Sequence, residues 1–99
     1  MNVIAQKTLR VFWETHPDAE GPLKAWYKTC RRSQWKTISE VRVVYPHADL
    51  VGRCTVFNIG GNKYRLVVKI EYEFRAIFVK RIMTHSDYSR GGWQDVCNC

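Results

Sequence analysis

A histidine and a tyrosine follow the most β-like part of the sequence and could take part in chemistry together. Residues 84–88 read THSDY. Thr84 and Asp87 have the spacing of a helix capping box, with Asp in place of Glu, so we expect a helical turn to begin at His85. On such a turn His85 and Tyr88 are three residues apart and can face the same site.

Cations precede this pair, and together they match what RNA cleavage by its own 2′-hydroxyl requires. That reaction needs a proton acceptor for the hydroxyl, positive charge for the phosphorane and a proton donor for the departing 5′ oxygen. Histidine titrates near neutrality and is a natural acid or base, and tyrosine stacks on a splayed base or donates a hydrogen bond. The residues that can fill these roles without a metal are His85, Tyr88, Arg65, Lys63, Lys80 and Arg81.

Each of these residues also has an ordinary structural explanation. His85 can be a capping or surface residue, Tyr88 an aromatic at the edge of the core, and Arg65 a solvated or ion-paired strand residue with Glu71 nearby. Their coincidence with a charged strand face favours a functional site. The alternating pattern places Lys80 and Arg81 on opposite faces of their strand, and the sequence leaves open which one accompanies Arg65.

Three strands must position these residues. Residues 55–59 are β-branched and aromatic, Gly60 and Gly61 supply the positive φ angles of a tight hairpin, and residues 64–72 form the returning strand. Residues 76–83 form a third strand. Along the returning strand apolar side chains alternate with a second set, which consists of Lys63, Arg65, Val67, Lys69 and Glu71. One sheet face is therefore expected to be core and the other to be basic.

Two helices are predicted before the sheet. Residues 3–4 suit a short first strand, and residues 6–14 carry apolar side chains at helical spacing. Asp18 is a plausible N-cap for a second helix. Leu23, Trp26 and Cys30 form one stripe along that helix. We expect the two helices to pair and to lie on the sheet.

Composition limits the architecture and the partners. The 99 residues form one domain, residues 1–99, with 16 Lys and Arg against 9 Asp and Glu and a net charge of +7. Such an excess attracts polyanions, so nucleic acid or an acidic protein is the expected partner, although a merely soluble basic surface explains the charge equally well. No apolar run approaches the roughly 18 residues of a membrane span, and the start lacks signal-peptide features, so we expect a cytoplasmic protein and no membrane partner.

The four cysteines are poorly spaced for a metal. Only Cys97 and Cys99 are close in sequence, at the extreme end, and no second pair has zinc-ligand spacing. Cys30 and Cys54 are expected to be small buried thiols. We therefore predict reduced thiols, no metal site and no cofactor.

At these residues the sequence resembles a known family. The run VFNIGGNKYRLVVKI at 56–70, the later THSDY, the opening 28 residues and the segment SQWKTISEVRVVYPHADLVG at 33–52 are similar to the HigB toxins. The resemblance implies an α+β, RelE-like small domain, with an antiparallel sheet of about four strands and two N-terminal helices packed on one face. It also implies an mRNA interferase of a type II toxin-antitoxin system, an endoribonuclease that needs no metal and often cleaves mRNA in the ribosomal A site. The implied partner is a HigA antitoxin with a helix-turn-helix domain.

The resemblance also assigns roles to single residues. Arg65 matches the arginine that contacts the scissile phosphate, His85 falls where related toxins place a catalytic His or Arg, and Tyr88 matches the Tyr of a T-H-x-E-Y motif. With Lys80 and Arg81 these are the expected catalytic residues, and the expected RNA contacts are Lys63, Lys69 and Asn58. The alternative is an inactive module of the same fold that binds RNA or antitoxin without cutting. The tail GGWQDVCNC at 91–99 matches nothing of the family and leaves Trp93, Cys97 and Cys99 without a role.

Overall fold

Five strands and four helices make up the part of the chain that the computed structural model describes, residues 1–4 and 6–94. Strand β1 (Asn2–Ile4) precedes helix α1 (Gln6–Thr15), and a short 3-10 turn (Pro17–Ala19) leads into helix α2 (Glu20–Arg32). Helix α3 (Ile38–Val44) and strands β2 (Asp49–Val51), β3 (Cys54–Ile59), β4 (Tyr64–Glu71) and β5 (Ala76–Thr84) follow, and helix α4 (His85–Arg90) ends the series.

The sheet has the order β1-β5-β4-β3-β2, and its pairs are antiparallel except for β1 with β5. The α+β class and the two N-terminal helices on one face are confirmed. The sheet has five strands where about four antiparallel strands were expected, and it is mixed because β1 pairs with β5 in parallel. Strand β2 was missed because it has only three residues and pairs with β3 along a single edge, which leaves almost no periodic signal.

The main core lies between the sheet and the first two helices. Leu9 of α1 and Leu23 and Trp26 of α2 are almost fully buried, and they pack against the face of the sheet that carries Phe57 and Leu66. The β3–β4 hairpin that brings this face together turns through Gly60 and Gly61, at φ +63° and +68°. Those angles strain any residue with a Cβ atom, which confirms the predicted role of the glycine pair. Cys30 and Cys54 are both fully buried, as expected.

A second, smaller cluster covers the opposite face of the sheet. It consists of Cys54, Val56, Val67, Met83 and Trp93, with Tyr88 and Val51 packed against it, and we call it the open-face cluster. The sequence predicted this face to be basic. It is basic at its periphery, but apolar side chains form its floor.

Asp18 does not cap α2, contrary to the sequence prediction. Residue 18 lies within the 3-10 turn, and its carboxylate accepts hydrogen bonds from the Tyr64 hydroxyl and from Lys63 Nζ, the latter at 2.8 Å. The side chain therefore connects the helical layer to the β3–β4 hairpin. These contacts were invisible in sequence because the residues are more than 40 positions apart.

A bulge in β5 decides the orientation that the sequence left open. Val67 pairs with Arg81, whereas Val68 pairs with Val79, so Lys80 is the extra residue of the bulge. Directly paired residues project to the same side of a sheet, so Arg81 lies on the open face with Val67 and Arg65.

None of the helices within residues 1–4 and 6–94 is long and apolar enough to cross a membrane.

Candidate functional site

Arg65 is the charged residue that the fold buries most deeply on the open face, with 9% of its surface exposed. Its guanidinium donates to the Asn62 side-chain oxygen at 2.7 Å and to the carbonyls of Asn62 and Tyr64 at 3.3 and 3.2 Å. These bonds engage three of the five N–H groups, and no ion pair within the described residues includes Arg65. A buried arginine held by neutral acceptors keeps its full charge for an anionic ligand.

Tyr88 lies beside this guanidinium, with its ring centroid 5.5 Å from Cζ of Arg65. Thr84 caps the short helix that carries Tyr88, because its hydroxyl accepts from the Asp87 amide at 3.1 Å. The backbone amide of His85 also donates to the Lys63 carbonyl at 2.8 Å, which ties the start of α4 to the hairpin. The capped turn that the sequence predicted is thus confirmed, and it brings Tyr88 to Arg65.

Trp93 supports Tyr88 from the residues that follow α4. Its ring stacks on that of Tyr88, and its indole N–H donates to the Tyr88 carbonyl at 2.9 Å. Gly91 and Gly92 have φ of +78° and +84°, which lets the chain reverse and return Trp93 to the sheet. Trp93 is 4% exposed and belongs to the open-face cluster. Sequence reasoning assigned it no role; its only signal was a tryptophan placed directly after a Gly-Gly pair.

An open groove of about 540 Å³ lies against Arg65 and Tyr88. Its floor includes Val56 and Asn58 of β3. Its far wall comes from α3 and the segment leading into β2, which contribute Arg42, His47 and Asp49. We refer to this depression as the groove.

The residues of that far wall were missed in the sequence. Arg42, His47 and Asp49 belong to no sequence motif that indicates a functional site. Arg42 Nε donates to the Ala48 carbonyl at 3.0 Å, so the arginine fixes the segment that carries its neighbours. The strand register shows where Asp49 lies: it pairs with Val56 and therefore projects onto the open face.

The predicted site residues are only partly brought together. Arg65, Tyr88 and Asn58 line the groove, and His85 is an exposed residue that is not among the described residues lining it. Arg81 lines a neighbouring depression with Met83 and Trp93. Lys80 borders shallow depressions beside Phe78 and beside α1.

The two predicted lysine contacts have acidic partners. Lys63 pairs with Asp18 at 2.8 Å, and the bond raises the pKa of Lys63 and lowers that of Asp18. Lys69 pairs with Glu71 at 3.0 Å. Glu71 therefore neutralises Lys69 rather than Arg65, which removes the ion-pair explanation for Arg65.

Geometry and charge define a class of site. A buried arginine, an adjacent tyrosine and an open groove rimmed by polar side chains on a basic domain form a surface suited to a phosphodiester chain rather than an enclosed pocket for a small molecule. Within the described residues no group of three or more His, Cys, Asp or Glu side chains is arranged to hold a metal ion.

Comparison with known proteins agrees with this class. The family model for HigB_toxin, the RelE-like toxic component of a toxin-antitoxin system, matches residues 19–91, and the chain belongs to that family. The chain is 30% identical over 91 residues to the mRNA interferase toxin HigB of Escherichia coli strain K12, covering 89% of this chain and 88% of that protein. It is similarly 30% identical to the mRNA interferase HigB of Shigella flexneri over the same shares, and 24% identical over 93 residues to that of Escherichia coli O6:H1, covering 91% and 90%.

Proposed function

We propose that the groove binds mRNA and that the protein cleaves it beside Arg65, as the endoribonuclease toxin of a toxin-antitoxin pair. The observation that carries the proposal is the state of Arg65, which is buried, held in position by three neutral acceptors and placed next to Tyr88. The relatives named mRNA interferases supply the reaction type.

The reaction is transesterification within the RNA. The 2′ oxygen attacks the adjacent phosphorus as its proton passes to a base, and the bond to the 5′ oxygen breaks as that oxygen takes a proton. The products are a 2′,3′-cyclic phosphate and a 5′-hydroxyl end. Arg65 stabilises the charge on the phosphorane oxygens, because a fixed cation acts more strongly in a partly desolvated site.

The other predicted residues take supporting roles in this proposal. Tyr88 positions the RNA at the wall of the groove. Arg81 attracts the strand along the open face, with Lys80, Lys63 and Lys69 adding to the field and Asn58 contacting the nucleotide on the floor. His85 is the proposed general acid or base. It lies at the first position of α4, one helical turn before Tyr88, so RNA bound at Tyr88 passes near it.

The proposed partners follow from the family. A toxin of a toxin-antitoxin system has an antitoxin, and we propose a HigA-type protein with a helix-turn-helix domain. We also propose that the ribosomal A site presents the mRNA, that no metal is required and that the protein acts in the cytoplasm. The net charge of +7 supports association with both RNA and an acidic antitoxin surface.

End-group analysis tests the reaction. Purified protein is incubated with mRNA in two settings. One contains only protein, mRNA and EDTA, and the other is a translating extract that contains magnesium. The fragment ends are mapped in both. Fragments with 5′-hydroxyl and cyclic phosphate ends are expected in at least one of the two settings. Intact RNA in both settings, with binding retained, would identify a non-cleaving module instead.

His85→Ala tests the assignment of the acid or base. Because His85 is exposed, the variant should fold with an unchanged melting temperature and lose about 100-fold or more of the cleavage rate. His16→Ala removes a half-buried histidine on the helical side and is the control; it should cut at the wild-type rate at a temperature where it is folded. Full cutting by folded His85→Ala removes His85 from the mechanism.

A further inference from the structure

An acidic side chain in a groove for RNA is unexpected, because it repels the phosphates that the rest of the surface attracts. Asp49 lines the groove with Arg65 and Tyr88, it is exposed, and no ion pair within the described residues includes it. The chain has a net charge of +7, and without an ion pair this carboxylate has no evident structural task. From its position we propose that Asp49 is a specificity-determining residue, which accepts a hydrogen bond from the amino group of a base in the nucleotide next to the scissile phosphate. The inference rests on the proposed function.

Strand register fixes where Asp49 lies relative to Arg65. Asp49 pairs with Val56, Val56 with Val67, and Asn58 with Arg65. Asp49 therefore lies two strands away from Arg65 across the sheet. Along the strand direction the two are offset by two residues, because Asp49 is in line with Val67. With strands about 4.8 Å apart and about 3.3 Å per residue, the two Cα atoms are separated by about 12 Å.

The direction of the Arg65 side chain increases the separation between the charged groups. Its guanidinium bonds to Asn62 and to the Tyr64 carbonyl, which lie towards the hairpin turn. Asp49 is in line with Val56 and Val67, and Val67 lies beyond Arg65 along β4, away from the hairpin turn. A phosphate at Arg65 and the Asp49 carboxylate are therefore far enough apart to tolerate each other in the same groove.

This distance distinguishes base reading from proton transfer. The attacking 2′ oxygen must lie about 3 Å from the scissile phosphorus, so its general base must also be close to Arg65. A short aspartate side chain two strands away does not reach that point. It does reach the edge of a base that extends from the ribose across the floor of the groove over Val56 and Asn58.

Chemistry then selects the base. A carboxylate only accepts hydrogen bonds, and adenine, cytosine and guanine each carry an exocyclic amino group that donates. Uracil has no amino group. Its one ring N–H lies between two carbonyl oxygens, whose partial negative charges repel a carboxylate. Asn58 on the groove floor has both a donor and an acceptor and can contact whichever base is bound. The groove therefore discriminates against uracil at one position beside the cut.

Cleavage mapping tests the inference. Wild type, Asp49→Ala and Asp49→Asn are compared on RNAs that are identical except for one nucleotide beside the mapped cut. Wild type should cut the adenine, cytosine and guanine RNAs about tenfold more efficiently, in kcat/KM, than the uracil RNA. Asp49→Ala should bring that ratio close to one, because cleavage of the adenine, cytosine and guanine RNAs falls towards that of the uracil RNA. Asp49→Asn, which can donate to uracil, should raise cleavage of the uracil RNA in particular.

A matched control separates base reading from net charge. Glu14→Gln removes one exposed carboxylate from α1, on the helical side of the sheet, and should leave the base ratio unchanged. An unchanged ratio in Asp49→Ala overturns the inference. An equal loss of cleavage at every base in folded Asp49→Asn also overturns it, because that result identifies a general base or a structural residue.

Binding of uncleavable strands distinguishes failure of this inference from failure of the proposed function. Single-stranded 2′-deoxy oligomers of adenine, cytosine and uracil are titrated against wild type and Asp49→Ala. Weaker binding of the uracil oligomer that disappears in Asp49→Ala supports base reading even if no RNA is cut. Equal binding of all oligomers by wild type overturns it even if RNA is cut.

Discussion

Trp93 stacks on Tyr88 with the two ring centroids 4.7 Å apart and 21° between the ring planes. Tyr88 in turn contacts the Arg65 guanidinium, so a tryptophan that follows α4 is linked to the proposed phosphate-binding arginine through one intermediate ring. Stacking and the bond from the indole N–H to the Tyr88 carbonyl hold the tyrosine from both its side chain and its backbone. From this arrangement we expect Trp93 to act as a positioning residue, through its contacts with Tyr88.

Trp93→Ala should therefore reduce cleavage by more than its effect on stability explains. Loss of the buried ring costs about 3–5 kcal/mol of unfolding free energy, and Tyr88 becomes free to leave Arg65. Trp93→Phe keeps a stacking ring and should retain most of the activity. Val67→Ala, which removes buried apolar atoms from the same cluster but leaves the Trp93 ring in place, is the control for stability. Cleavage rates are compared at a temperature where every variant is folded; an equal decrease in Val67→Ala and Trp93→Ala would contradict the positioning role.

Arg65→Lys should not preserve function. Lysine has a single ammonium group and cannot reproduce the forked bonds to Asn62 and Tyr64 while still facing a phosphate. We expect kcat to fall by about 100-fold or more, comparable to the removal of one transition-state hydrogen-bond donor. Single-turnover cleavage measures the effect, and Arg31→Lys on the surface of α2 is the control. Activity of folded Arg65→Lys near the wild-type level would argue against phosphorane stabilisation by this residue.

Strand β4, which carries Arg65, and the start of α4 at His85 were predictable because their signals are local. Alternation along residues 64–71 assigned Arg65 to the face opposite Leu66, and Thr84 with Asp87 announced the start of α4. Both follow from side-chain periodicity and from hydrogen bonds between near neighbours. For the same reason the glycine turn and the two N-terminal helices agree with the structure.

The far wall of the groove and the support under Tyr88 were not predictable because they depend on tertiary contacts. Asp49 reaches the open face only through the pairing of a three-residue strand, and Trp93 through a chain reversal at two glycines. The bulge at Lys80 likewise arises from pairing between strands, since alternation alone gives no reason to skip a residue. The roles of Cys97 and Cys99 stay open, because both lie outside the described residues.

Arg81→Gln should weaken RNA binding more than Lys80→Gln does. Register places Arg81 on the same face as Arg65, whereas Lys80 is the bulge residue beside it. Removing one cation that pairs with a phosphate reduces the dependence of log Kd on log salt by somewhat less than one unit for a single strand. Fluorescence titration of an uncleavable RNA at several salt concentrations measures both slopes. Equal slopes for the two variants would show that the bulge exposes both cations to the strand alike.

Asp18→Asn should lower stability at neutral pH and have little effect in acid. Bonds from Lys63 and Tyr64 hold the pKa of Asp18 below its ordinary value of 3.8, so the folded state favours the ionised carboxylate. A lowered folded-state pKa contributes stability above the unfolded value, and that contribution disappears as the pH falls through the folded value. The melting temperature of Asp18→Asn should therefore lie below that of wild type at pH 7, and the two should converge as the pH falls below 3.8. Asp87→Asn serves as a comparison on α4, outside the contact between the helical layer and the hairpin; a pH-independent difference between Asp18→Asn and wild type would show that geometry rather than ionisation makes this contact stabilising.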